Sequence, residues 1–144
     1  MDRWRSTRAQ IRAFIEGNCF SSRRGCYVRY AGGEELDVAV LLGLLYGYAD
    51  GSDPRMRATV EVVDRELRHG PFVYRYTGED GVQGAEGAFL ACSFWFAESL
   101  ARIGRVERAI ALTDELIGQA NDVGLYSEEI DRTPASSSET YPKG

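Results

Sequence analysis

An all-α protein of helical hairpins in two layers is the fold the sequence predicts, and three observations predict it. A helix-length segment that is apolar on nearly every face, Leu36–Tyr48, is followed by an amphipathic one, Arg55–Arg68. The same order returns in Gly87–Arg102 and Arg105–Ala120, an internal repeat of about 50 residues. Turn residues, Gly51-Ser52-Asp53-Pro54 and Gly104, separate the members of each pair. A helix apolar all round must be enclosed by other elements, whereas a one-sided helix needs cover on one face only. In alternation the two kinds read as the inner and outer layers of a helical ring. Two such units cannot close a ring, so a partial ring with a large exposed apolar edge is expected.

The elements follow in order. Asp2–Glu16 places Trp4, Ile11, Phe14 and Ile15 on one helical face and stops at Gly17. Phe20 to Tyr30 reads as a short β-hairpin, near residues 20–30, turning at Arg24-Gly25. In Arg55–Arg68, Asp53 is the expected N-cap with Pro54 at N1. Met56, Val60, Val63 and Leu67 form its apolar stripe, and Arg57, Glu61, Asp64, Arg65 and Arg68 are expected to face water. Arg68-His69-Gly70-Pro71 reads as its C-terminus, where a histidine complements the helix dipole. Cys92, inside an apolar helix, reads as a small buried hydrophobe, and Phe94 and Trp95 are assigned to the core.

Composition closes several function classes. A chain of 144 residues, 44% hydrophobic and 11% aromatic, can bury one core. Lys and Arg number 17 against 22 Asp and Glu, a net charge of −5, which argues against nucleic acid as a partner because phosphate binding rests on clustered cations. The one dense basic helix, with Arg3, Arg5, Arg8 and Arg12 at helical spacing, reads as a solvated face. No membrane partner is expected, since Leu36–Ala49 is too short to span a bilayer and carries Asp37. Met1 to Arg5 has no apolar signal region, so a cytoplasmic location is expected. Cys19, Cys26 and Cys92 lack metal-ligand spacing and His69 is the only histidine, so neither a metal site nor Ser-His-Asp or Cys-His catalysis is expected.

Chemistry is left to the two long loops, Gly70–Glu86 and Asn121–Asp131, expected on the same end of the helical layer. They combine aromatic rings, Arg75 and several carboxylates, the groups that stack on sugar faces and fix sugar hydroxyls. Glycosidic hydrolysis needs two carboxyl groups, one protonating the leaving oxygen and one activating water or attacking. On their own, Glu128-Glu129 read as ordinary solvated carboxylates.

Four segments change that reading. Gly33-Glu34-Glu35-Leu36-Asp37, Val73-Tyr74-Arg75-Tyr76, Gly84-Ala85-Glu86-Gly87-Ala88-Phe89-Leu90-Ala91-Cys92-Ser93-Phe94-Trp95 and Gly124-Leu125-Tyr126-Ser127-Glu128-Glu129-Ile130-Asp131 occur in this order. Together they resemble the C-terminal part of glycoside hydrolase family 15, the glucoamylase, glucodextranase and bacterial trehalase-like proteins, over Trp4 to Asp131. The resemblance implies a partial (α/α)6 toroid, inverting hydrolysis of an α-linked glucoside or glucan at its chain end, and no cofactor. It places the general base on Glu128, with Glu129 the neighbour most easily mistaken for it. It assigns sugar-hydroxyl binding to Arg75 and Tyr76, with Asp80 as companion carboxylate. Asp37 has two open readings, sugar contact or a helix N-terminal charge, and Glu86 is either a site residue or part of the loop's structure.

The departures define the rest of the expectation. The family's general acid sits in an upstream Trp-Glu motif, and none occurs here, since Trp4 precedes Arg5 and Trp95 precedes Phe96. Residues 1–131 are therefore expected to be the C-terminal portion of a catalytic barrel, inactive alone and partnered by the missing N-terminal half. The competing reading is a non-catalytic helical-hairpin module that binds a protein partner through its open apolar face. Residues 132–144 are Ser-rich and without apolar period, hence expected to be disordered. A shifted reading frame of permissible codons for Ala135 to Gly144 gives Glu-Phe-Leu-Gly-Asn-Leu-Pro-Lys-Gly, the kind of segment the family continues with, so a frameshifted tail is expected.

Overall fold

The computed structural model describes residues 2–77 and 87–130. Along them run α1 (Asp2–Asn18), β1 (Phe20–Ser21), β2 (Cys26–Tyr27), a 3-10 turn (Val38–Leu41), α2 (Leu42–Leu45) and α3 (Pro54–Glu66). Then come β3 (Arg68–His69), β4 (Phe72–Val73), β5 (Ala88–Phe89), α4 (Leu90–Arg102), α5 (Val106–Ile117) and β6 (Glu129–Ile130). The short strands pair antiparallel as β1–β2, β3–β4 and β5–β6. The architecture is that of helical hairpins from an (α/α)6 toroid, as expected, with the predicted hairpin at residues 20–27 turning through Gly25.

Helix α4 is the inner element around which the rest assembles. Leu90, Cys92, Ser93, Phe96, Ala97, Ser99 and Leu100 are all buried, and it packs on α5, α2 and β4. Phe94 and Trp95 are half-buried against the same core. Outer helix α3 has the predicted stripe, with Met56, Val60, Val63 and Leu67 each no more than 2% exposed. Asp53 caps it as expected, its carboxylate accepting from Arg55 N–H at 2.9 Å and Met56 N–H at 3.0 Å. Helix α5 buries only Ala109, Leu112 and Leu116, toward α4.

Three expectations are corrected. The apolar segment Leu36–Tyr48 is not one long helix: Leu36-Asp37 is extended, and only four residues of 3-10 and one α-turn follow. Gly47 stops the turn in the left-handed region, φ 73°, which a residue with a side chain resists. His69 does not cap a helix C-terminus. Helix α3 ends at Glu66, and Arg68–His69 pairs with Phe72–Val73 across Gly70-Pro71, which favours a turn over continued helix. Its imidazole packs edge-on to Tyr74 at 5.1 Å. Arg57 does not simply face water either; its guanidinium donates to Gly51 O at 3.0 Å and Ile103 O at 2.8 Å, joining the start of α3 to the end of α4.

Polar groups stitch the layers where hydrophobic contact ends. Buried Thr59 accepts from Tyr27 N–H at 3.0 Å and donates to Arg55 O at 2.8 Å, fixing β2 on α3. Buried Ser93 accepts from Val73 N–H at 2.9 Å, fixing β4 on α4. Asp64 bridges Arg68 at 2.5 Å and Arg108 at 2.8 Å, tying α3 to α5. Arg24 pairs with Glu66 and with Glu34 O, tying the β-hairpin to the end of α3.

The exposed apolar edge is present. No residue of α1 is buried, and Trp4 is 79% exposed. Leu41 and Leu44 are enclosed, whereas Tyr46 stands out at 82% exposure. Among the described residues no helix is long and apolar enough to cross a membrane. The predicted tail lies outside the described residues.

Candidate functional site

The extended Leu36-Asp37 segment lies antiparallel to the strand that leaves β4. Val38 N–H donates to Arg75 O at 2.7 Å and Thr77 N–H to Leu36 O at 3.1 Å. Leu36 N–H donates to Thr77 Oγ1 at 2.9 Å. The result is a bridge between Asp37 and Tyr76, two predicted site residues. Asp37 Oδ1 accepts from Ala39 N–H at 2.8 Å and so caps the 3-10 turn; of its two readings, the structural one is realised by one carboxylate oxygen.

Cations surround the Tyr76 ring. The Arg29 guanidinium lies 4.6 Å from its centroid and that of Arg75 5.7 Å. Arg29 also pairs with Glu35 at 3.4 Å. Arg75, an exposed side chain, lies 5.7 Å from the Phe89 ring as well, so it spans two aromatic surfaces while keeping donors toward solvent.

Phe89 carries the connection to the second loop. It pairs with Glu129, as Ala88 does with Ile130, and Leu90 N–H donates to Glu128 O at 3.1 Å. The approach is close because residue 87 is glycine: a Cβ there would lie 2.9 Å from Ile130 O and 3.3 Å from Glu129 Oε2. Tyr126 packs edge-on to Phe94 at 5.7 Å, and Ser127 Oγ donates to Glu129 O at 2.5 Å. Of the two adjacent carboxylates, Glu129 opens β6 and Glu128 directly precedes it. Glu129 is the one laid over Gly87, on the side of its partner Phe89; both carboxylates are exposed.

Arg75 of the first loop reaches the Phe89 ring, and Phe89 pairs with Glu129 of the second, so the described parts of the two loops are linked through β5; Asp37 is bridged to Tyr76, and Glu128 is held through its carbonyl by Leu90 N–H. Asp80 and Glu86 lie outside the described residues. Sequence reasoning gave no site role to Arg29, Phe89 or Gly87. For Gly87 the signal was the glycine itself, which next to β5 lets two backbones approach closely. For Arg29 none did, because its contact with Tyr76 is made by chain folding alone.

Known proteins with this pattern are specific. The sequence profile of Glycosyl hydrolases family 15 matches residues 1–143. A trehalase of Mycolicibacterium smegmatis is 37% identical over 131 residues, covering 89% of this chain and 20% of the relative. A trehalase of Mycobacterium tuberculosis is 38% identical over 131 residues, 89% of this chain and 19% of the relative. One from Thermoplasma volcanium is 29% identical over 141 residues, 97% and 23%. The chain thus spans about a fifth to a quarter of these relatives' length. Among solved structures, a wild-type glycosidase superposes with a TM-score of 0.77 at 20% identity, over 87% of this chain and 33% of that one. A variant glycosidase in complex with glucose gives 0.77 at 19% identity over the same shares.

Proposed function

The chain belongs to glycosyl hydrolases family 15, and from that premise we propose that it forms the general-base wall of an inverting site for an α-linked glucoside, trehalose in particular. One observation carries the reading. The bridge Asp37–Tyr76, the contact of Arg75 with the Phe89 ring and the pair Phe89–Glu129 link four distant segments in series. Their residues are those a sugar site uses: a guanidinium for hydroxyls, an aromatic face for the ring, a carboxylate for water.

In this mechanism Arg75 and Tyr76 hold the terminal glucose, with Asp37 and Asp80 accepting from its hydroxyls. Glu128 accepts a proton from a water as that water attacks the anomeric carbon from the side opposite the leaving oxygen. An inverting pair stands about 6.5–9.5 Å apart to leave room for that water. Glu129, laid over Gly87, serves the strand's geometry instead. The proton for the leaving oxygen comes, in this proposal, from a carboxylic acid on a segment other than residues 1–144, and the chain alone does not turn over. Residues 1–131 are the working part, and 132–144 take no part in the site.

The test is a graft. Residues 2–130 replace the matching segment of the Mycolicibacterium relative, and hydrolysis of trehalose is followed by glucose release. We expect turnover, with Arg75→Ala raising KM more than it lowers kcat. A folded graft that releases no glucose would overturn the proposal.

A further inference from the structure

Arg29 follows the first β-hairpin, yet its side chain reaches the Asp37–Tyr76 bridge. Strand β2 ends at Tyr27, and Val28 N–H still donates to Cys19 O at 2.9 Å. A turn closed by Gly33 N–H to Tyr30 O at 3.0 Å then reverses the chain, so that Arg29 N–H donates to Glu35 O at 2.8 Å. Residues 35–38 are thus bonded both to Arg29 and to residues 75–77, the latter through Thr77 N–H to Leu36 O and Val38 N–H to Arg75 O. Leu36 and Val38 are fully buried and anchor this segment in the core.

The Arg29 guanidinium lies 4.6 Å from the centroid of the Tyr76 ring, nearer than Arg75 at 5.7 Å, and pairs with Glu35 at 3.4 Å. A cation over an aromatic ring is attracted by the negative charge of its face, and a planar guanidinium also stacks on it. Backbone bonds fix where Tyr76 leaves the chain, and Arg29 acts on the ring itself. Arg75 is exposed and reaches toward a second ring, Phe89, whereas Arg29 is committed to Glu35 and Tyr76.

We propose that Arg29 is a positioning residue for sugar binding: with Glu35 it holds the Tyr76 ring in the orientation that receives the terminal glucose, without touching the sugar. The inference rests on the sugar-site reading of Tyr76 and adds a residue that none of the four family-like segments contains. Ordering a side chain on binding costs affinity, and recognition groups keep their geometry when neighbouring side chains lock their rotamers. Arg29 therefore acts on affinity and leaves the chemical step alone. All three partners, Arg29, Glu35 and Tyr76, belong to this chain.

The graft described above tests it, with KM and kcat measured for trehalose and glucose binding measured by calorimetry. Arg29→Met keeps the stem and removes the charge. It should raise KM and the glucose Kd by a factor of about 2–5, the equivalent of a cation–π contact at a partly exposed site, with kcat near its original value. Arg29→Lys, which keeps a cation over the ring, should recover part of the loss. In a Tyr76→Leu background, Arg29→Met should change neither constant further, because the ring on which it acts is gone. An unchanged circular dichroism spectrum confirms that each variant folds. Unchanged KM and Kd in Arg29→Met, while Arg75→Ala still weakens binding, overturn this inference and leave the sugar site standing. A shift of the same size in the Tyr76→Leu background also overturns it, since Arg29 then acts by another route. A folded graft that neither binds glucose nor releases it from trehalose overturns the sugar-site reading, and this inference with it.

Discussion

Asp37 and Tyr76 face one another in an isolated antiparallel bridge, held by Val38 N–H to Arg75 O at 2.7 Å and Thr77 N–H to Leu36 O at 3.1 Å. The bridge is possible because the apolar segment starts extended instead of helical. Had Leu36–Tyr48 formed a single helix, Leu36 would have spent its carbonyl inside that helix and Arg75 would have no fixed position beside Asp37.

Gly87→Ala should loosen the end of the site without unfolding the core. The added methyl lies 2.9 Å from Ile130 O, closer than a carbon and an oxygen pack, so β6 must move away from β5. Amide exchange reads this directly: the Leu90 N–H, bonded to Glu128 O at 3.1 Å, should lose protection while the Val63 and Leu100 amides keep theirs. Equal protection of Leu90 in both proteins would contradict the account.

Thr59→Val should destabilise the fold although it keeps side-chain shape. The hydroxyl accepts from the Tyr27 N–H, and a buried donor left unpaired costs about 1–3 kcal/mol. Urea unfolding should show a lower midpoint with an unchanged m-value. Thr59→Ser, which keeps the oxygen, should recover much of the loss.

Acid should weaken the fold through Asp64 and Glu66. Burial by itself pushes the Asp64 carboxyl up, but hydrogen bonds from Arg68 and Arg108 outweigh it and hold the carboxyl below its ordinary value. Glu66 behaves alike, burial being outweighed by Arg24 and Arg65. Groups whose folded-state pKa is depressed add stability above their unfolded pKa, about 4, and lose it as pH falls through the folded value. The melting temperature should therefore hold from neutral pH to about 5 and fall below about 4. In Asp64→Asn that acid-side fall should be smaller; an identical fall would remove Asp64 from the explanation.

Much of this was legible in the sequence where one local rule decided. Asp53-Pro54 starts α3, Gly104 breaks the α4–α5 hairpin, and Met56, Val60, Val63 and Leu67 point inward as their spacing requires. It failed where two rules competed. Leu36–Tyr48 has helix-length apolarity but also Gly43 and Gly47, and tertiary pairing with Arg75–Thr77 claims its first residues. The site shows the same division. Arg75, Tyr76 and Glu128 come from motifs, whereas the contacts that gather them, through Phe89 and Arg29, depend on pairings between segments that no single segment encodes.

The central claim is that Glu128, and not its neighbour, is the water-activating base. In the graft carrying residues 2–130, kcat for trehalose is measured for Glu128→Gln and Glu129→Gln side by side. A positioned general base contributes about 10²–10⁴-fold, so Glu128→Gln should lower kcat by that order while KM stays near its original value. Glu129→Gln should keep most of the activity, because its amide still covers Gly87. If Glu129→Gln is the inactive variant and Glu128→Gln turns over, the assignment is contradicted.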